Sequence, residues 1–408
     1  MRFAVAQSGG PTCAINASLV GIFTAAAEMS NKVQNSNKIE VFGVFNGVQG
    51  LLEEHFVDLS QALADPEDVD LLRKTPSTAL GSCRFRMPSA EQDDSLYHKI
   101  HHILQKNAID AFFYIGGNDS MDTVAKLSAW LEKQGSPIRV IGVPKTIDND
   151  LVGTDHTPGF GSAAKYVAMT MQEVVRDSSV YRVPSVTICE IMGRDAGWLT
   201  ASTCLLRSNG EVAPHLIYLP ESDFSVAQFI RDVKKAMESH RSVICAVSEG
   251  ITLDGCDYRS GANDAFGHAY LSGIGRFLED LVRKEIGCKV RSIELNVMQR
   301  CAAHLASAAD LEESEGAGRY AVQLALEGLS GQMVTLQRDT GSEEYRIAYS
   351  HMPAASAANV TRTFPAAWIN SSGNDVTEEA TAYFLPLIQG EVLPTMRNGM
   401  PVHFRFAT

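Results

Sequence analysis

The 408-residue chain has no apolar run approaching the ~18 residues that cross a bilayer, so no membrane span is expected. Its opening residues, Met1 to Gly10, lack the long apolar stretch of an export signal, and a cytoplasmic home is the expectation. No C-x-x-C pair occurs among Cys13, Cys83, Cys189, Cys204, Cys245, Cys256, Cys288 and Cys301. That removes a zinc ribbon or dithiol redox motif and reads the cysteines as reduced, structural thiols. No internal repeat and no low-complexity linker is visible. Basic residues are also scarce: 35 Lys plus Arg face 48 Asp plus Glu, a net charge of −13. Such a balance argues against nucleic acid and against anionic membrane surfaces as partners. Disorder is excluded by the 45% apolar content, and the length suggests two domains.

What the sequence does have is a recurring order of short apolar strand, Gly-containing turn and helix. Residues 3–7 read as a strand, Ser8 to Thr12 as a turn, and Ile15 to about Glu28 as a helix. The order returns with a strand over 109–115, the turn Gly116-Gly117-Asn118-Asp119-Ser120, and a helix over Met121–Gln134. Further strands are expected at 139–143, 185–191 and 243–247, and 338–350 reads as a hairpin. Residues 251–265, rich in Gly, Asp and Ser, read as a surface excursion. The fold class implied is α/β: two doubly wound, Rossmann-like domains with mainly parallel sheets and a cleft between them.

In open parallel sheets, ligands bind beyond the carboxyl ends of the strands, which directs attention to four loops. Ser8-Gly9-Gly10-Pro11 lets backbone approach an anion at a helix N-terminus, or is only a tight connection. Asp119 is either a ligand group or, like Ser120, a helix cap. In Pro144-Lys145-Thr146-Ile147-Asp148-Asn149-Asp150, an extended segment would project both carboxylates to one side. They suit a hard cation such as Mg²⁺, or one of them a general base; a solvated acidic loop is the alternative. Arg194, read as starting a helix, opposes the helix dipole there. That position suits a phosphate fork or a salt bridge to Asp195 or Asp148.

Gly-Gly-Asn-Asp-Ser at 116–120, Pro-Lys-Thr-Ile-Asp-Asn-Asp at 144–150 and Met-Gly-Arg-Asp-Ala-Gly-Trp at 192–198 together resemble the phosphofructokinase family. The match is closer to its pyrophosphate-dependent branch. The ordered set runs from Gly9 to roughly Arg300. The resemblance implies reversible, Mg²⁺-dependent phosphoryl transfer to the 1-hydroxyl of fructose 6-phosphate. It implies Asp148 as catalytic base, with Thr146 and Asp150 beside the transferring group and Arg194 stabilising its charge. Gly10, Arg84, Gly117, Asp119 and Lys145 are expected on the donor side. Met192, Gly193, Glu221, Arg291 and Arg300 are expected around the sugar phosphate, and Asp119, Asp148 and Asp150 around the metal. Residues 1–159 plus about 299–349 would form the donor and Mg²⁺ domain; 160–298 plus about 350–408 would form the sugar-phosphate domain. A homodimer or homotetramer is implied by sites completed across subunits.

The donor expectation rests on Asp119 and Lys145, which stand where ATP-using members typically have glycine. Asp119 adds bulk and negative charge to the space of a nucleotide, and Lys145 offers a cation to the terminal phosphate of pyrophosphate. An ATP-dependent enzyme and a noncatalytic phosphosugar-binding subunit are the alternatives. Asn118 stands where an acid is usual, and Val297 where His or Tyr is common. Ser185 falls at the place of a cross-subunit arginine, with Arg182 three residues early. The cations Arg84, Lys145, Arg194, Arg291 and Arg300 are expected to make a positive cleft in a negative protein.

Overall fold

The structure, a computed structural model, describes residues 1–32, 38–253, 273–342 and 344–407. Cys256 and most of the expected 251–265 excursion lie outside the described residues. Among the described residues, eleven strands form the two larger sheets. They are β1 (Arg2–Gln7), β2 (Glu40–Val44), β3 (Phe56–Asp58), β4 (Ala111–Gly116), β5 (Arg139–Pro144), β6 (Ser185–Ile191), β7 (Leu216–Tyr218), β8 (Ser242–Ser248), β9 (Lys289–Glu294), β10 (Gln332–Arg338) and β11 (Ile347–Pro353).

The first sheet has the order β11-β10-β5-β4-β1-β2-β3, parallel except at its edges, where β3 and β11 run antiparallel to their neighbours. Alternation along each strand sends side chains to two different cores. Phe3, Val5, Phe113 and Ile115 join one cluster, and Ala4, Ala6, Phe112 and Tyr114 the other. The second sheet, β7-β8-β6-β9, is wholly parallel. Cys189, Ile191 and Ala246 face one core, and Val186, Ile188 and Cys245 the other. Both sheets are thus covered on both faces, as the near-continuous apolar strands imply.

The α/β reading and the expected strands hold, including the 338–350 hairpin, which is β10–β11. The first sheet nevertheless continues to Pro353, past the expected boundary at 349. Phe404 and Phe406 return to its core, so the tail does not belong to the second unit alone. Single-residue hydrophobic periodicity cannot report which sheet a distant aromatic pair will cover.

The segment from the end of β5 to the helix Phe160–Ser179 is tied down by buried polar contacts. His156, only 2% exposed, lies between Asp155 Oδ1 at 2.9 Å and Glu313 Oε2 at 2.6 Å. Arg338 also reaches Asp155 at 3.0 Å, and the Tyr345 hydroxyl donates to Glu313 at 2.7 Å. Burial alone would lower the His156 pKa, but the two carboxylates override it and hold the imidazole up at about 9. The imidazolium stabilises the fold fully below an unfolded histidine's pKa of about 6.5, and that contribution is lost as pH rises through about 9. Thermal melts across that window should show a falling Tm for the wild type and a flatter profile for His156→Gln. Equal slopes in the two proteins would contradict the assignment.

Candidate active site

Loops from both sheets meet at one cavity. It is lined by Ser8 to Thr12 after β1, Cys83 to Phe85, Gly117 to Ser120 after β4, and Lys145 to Asp148 with Asp150 after β5. Gly193 to Ala196 after β6, Arg300, Thr361 and Tyr114 of β4 complete it. Every contributing strand presents its carboxyl end, as parallel sheets dictate.

The loop after β5 is not the extended segment expected. Asn149 adopts φ +57°, a left-handed bend that asparagine tolerates, and its side chain is rooted in the core. Asn149 Nδ2 donates to the Tyr383 hydroxyl at 3.0 Å, while its Oδ1 accepts from Thr157 N–H at 3.0 Å. Thr146 Oγ1 accepts from the Asp148 N–H at 3.1 Å. Asp148 and Asp150 reach the same cavity by this turn, half-buried rather than solvated. Burial raises the Asp148 pKa against the pull of Arg194, Arg300 and Lys145. Burial, then the neighbouring charge of Asp148, pushes Asp150 up to about 7. Asn118 Nδ2 donates to Asp150 at 3.1 Å, and Asn118 Oδ1 is buried with no hydrogen-bond partner among the described residues.

Lys145 is 2% exposed and donates to the Gly10 carbonyl at 2.7 Å, crossing toward the first glycine loop. Burial lowers its pKa to about 8, opposed by Asp148. Asp119 is exposed in the first turn of the helix Asn118–Lys133 and lies 3.9 Å from Arg86. Gly117 takes the N-cap position of that helix, so the capping alternative for Asp119 and Ser120 is corrected. The Ser120 hydroxyl pairs instead with that of Ser8 at 2.5 Å.

Arg194 does not begin a helix. It sits at φ +52° in a turn, and the short helix Trp198–Ala201 follows. The signal missed in the sequence is Ser248-Glu249-Gly250, at the end of β8. Glu249, 8% exposed, accepts the N–H of Gly193 at 3.1 Å and of Arg194 at 3.0 Å through one oxygen. A Cβ on Gly250 would stand 1.7 Å from the Arg194 carbonyl oxygen, so the turn requires glycine there. Strand-end Ser-Glu-Gly beside a Gly-Arg turn was the available clue.

Of the expected residues, the cavity gathers Gly10, Arg84, Gly117, Asp119, Lys145, Thr146, Asp148, Asp150, Gly193, Arg194 and Arg300. Three stand apart. Met192 is half-buried, its N–H held by Gln299 Oε1 at 3.2 Å. Glu221 accepts from Gly197 N–H at 2.9 Å and Phe364 N–H at 2.7 Å, a brace for the Arg194 turn. Arg291 lies on β9 and pairs with Asp177 at 3.1 Å. Among the described residues no three acidic, His or Cys side chains cluster as a metal site, although Asp119, Asp148 and Asp150 all line the cavity. The expected positive cleft is also corrected: Arg84, Lys145, Arg194 and Arg300 share the lining with Asp119, Asp148, Asp150 and Asp195.

Residues 2–325, which supply all of this cavity's lining except Thr361, match the family described as Phosphofructokinase. The chain belongs to the phosphofructokinase family. It is 39% identical over 402 residues to the pyrophosphate–fructose 6-phosphate 1-phosphotransferase of Xanthomonas campestris, covering 97% of this chain and 94% of that protein. It is 31% identical to an ATP-dependent 6-phosphofructokinase of Corynebacterium efficiens, covering 74% of this chain and 80% of the other. Its fold is similar to the crystal structure of a pyrophosphate-dependent phosphofructokinase from Nitrosospira multiformis. That likeness has a TM-score of 0.86 at 32% identity and covers 99% and 96% of the two chains.

Within this phosphofructokinase fold, one Glu249 carboxylate oxygen accepts both the Gly193 and the Arg194 N–H. Glu249→Ala should destabilise the protein by about 1–3 kcal/mol in urea unfolding. A change indistinguishable from zero would contradict its bracing role.

Proposed function

We propose that this chain transfers a phosphoryl group from pyrophosphate to the 1-hydroxyl of fructose 6-phosphate, giving fructose 1,6-bisphosphate and phosphate, in a reversible reaction. The observation that carries the donor assignment is Lys145. Its buried ammonium spans the donor end of the cavity, 2.7 Å from the Gly10 carbonyl and 3.2 Å from where a Gly9 Cβ would stand. That leaves a cation in the path a nucleotide would take and offers it to the outer phosphate of a small inorganic donor. Asp119 adds a carboxylate at the rim of the same end.

In this reading Asp148 accepts the proton of the 1-hydroxyl as its oxygen bonds to phosphorus and the bridging P–O bond of pyrophosphate breaks. Its raised pKa makes it a stronger base than a solvated carboxylate. Arg194, Lys145 and Thr146 surround the transferring group and stabilise its charge. Arg84 with the backbone at Gly10 and Gly117 takes the donor. Gly193, Met192 and Arg300 flank the sugar phosphate, with Glu221 behind the turn. Arg291, outside this chain's cavity, serves a neighbouring copy in a homodimer or homotetramer. The first sheet's unit carries the donor and the second the sugar phosphate.

A divalent cation fits these residues. The cationic and acidic linings balance, so an entering polyanion needs added positive charge. The partnerless Asn118 Oδ1 beside Asp150 supplies an unused oxygen. Asp148 and Asp150 would hold Mg²⁺ with that oxygen; when bound, Mg²⁺ neutralises charge on the donor phosphates.

The deciding experiment is fructose 6-phosphate phosphorylation by the purified chain at saturating Mg²⁺ with pyrophosphate or ATP. Pyrophosphate should be the better donor; a strong ATP preference would overturn the donor assignment. Asp148→Asn should lower kcat by about 10²–10⁴-fold with little change in KM. Retained turnover would remove Asp148 as the base. The double variant Asp119→Gly, Lys145→Gly should relax donor choice, read as the ratio of kcat/KM for ATP over that for pyrophosphate. An unchanged ratio would move the determinant elsewhere.

A further inference from the structure

Beneath the donor loops, the side chain of Tyr114 is 1% exposed, yet it lines the cavity. Its hydroxyl lies 3.6 Å from Cys83 Sγ, and the Ser8 side chain and the Val48 backbone are near enough to act on it electrostatically. The Ser8 hydroxyl in turn pairs with Ser120 at 2.5 Å. The backbone repeats the connection: Gly9 N–H donates to the Cys83 carbonyl at 3.2 Å, and the Ser82 hydroxyl donates to the Gly9 carbonyl at 2.7 Å. Three loops far apart in sequence therefore share one buried polar centre. One carries the first glycines, one carries Arg84, and one carries Gly117 and Asp119.

The approach is close enough to dictate a glycine opposite. Gly47 stands at φ +62°, and a Cβ there would lie 2.5 Å from Cys83 Sγ and 3.2 Å from the Tyr114 hydroxyl. The hydroxyl is buried on a central strand, paired on both sides by β1 and β5, so loops can be set against it. Burial keeps it protonated, and it remains a hydrogen-bond donor over the working pH range.

We propose that the Tyr114 hydroxyl is a positioning group for the donor. It fastens the loops bearing Ser8 to Thr12, Arg84 and Gly117 to Ser120 in one register and so sets affinity for the donor phosphates. It takes no part in the chemistry and does not touch the sugar-phosphate side, where Gly193, Arg194 and Arg300 lie. The inference rests on the donor being pyrophosphate at this end of the cavity.

Tyr114→Phe removes the oxygen and keeps the ring that stacks on Phe112, centroids 5.6 Å apart. In steady-state assays with Mg²⁺, KM for pyrophosphate should rise about tenfold, the worth of one or two neutral hydrogen bonds. KM for fructose 6-phosphate should stay within about twofold. Unchanged donor KM, or equal rises in both KM values, would overturn the inference, the latter pointing to general loosening. Cys83→Ala should move donor KM in the same direction by a smaller factor, and no movement would overturn the shared-centre argument. Thermal shift with pyrophosphate and Mg²⁺ separates the two proposals. A wild type stabilised by pyrophosphate but catalytically silent with it would defeat the functional reading. A smaller shift in Tyr114→Phe would still uphold the positioning role, and an equal shift would defeat it.

Discussion

The site depends on keeping two carboxylates, Asp148 and Asp150, in one half-buried cleft. Two like charges out of bulk water repel, and burial penalises both. The fold meets this with three cations whose charges act on Asp148, namely Arg194, Arg300 and Lys145, and with a neutral amide, Asn118, donating to Asp150. The backbone bend at Asn149 makes the arrangement possible, and the core hydrogen bonds from its side chain hold that bend. The neighbouring tether through Asp155, His156 and Glu313 fixes the far end of the same segment.

A second economy is the use of buried carboxylates as backbone holders. Glu249 takes the N–H groups of Gly193 and Arg194, and Glu221 takes those of Gly197 and Phe364. A non-glycine residue at positive φ costs energy, and such contacts fix it in place. Arg194 is therefore aimed by its backbone, which leaves its guanidinium to the cavity. The acidic excess of the sequence is not confined to a solvated surface: four carboxylates line the cleft beside four basic side chains.

Much of this was legible beforehand. Strand-by-strand alternation and Gly-containing turns carried the α/β fold, because parallel strands buried on both faces read as apolar runs. The motifs at 116–120, 144–150 and 192–198 located three walls of the cavity. Legibility failed where long-range contacts decide the outcome. Glu249 looked ordinary because its importance comes from two N–H groups more than fifty residues away. Arg194 reads as a helix start because residue order does not disclose a positive φ. Phe404 and Phe406 could not be allotted to a sheet from their own sequence, and Arg291 reads like Arg300 until the strand that carries it is placed.

The central claim is that this cleft exchanges a phosphoryl group with an inorganic partner rather than a nucleotide. The reverse reaction tests it most directly. Purified protein given fructose 1,6-bisphosphate, Mg²⁺ and orthophosphate should release fructose 6-phosphate and form pyrophosphate. Release of fructose 6-phosphate and ATP with ADP, but no reaction with orthophosphate, would contradict it.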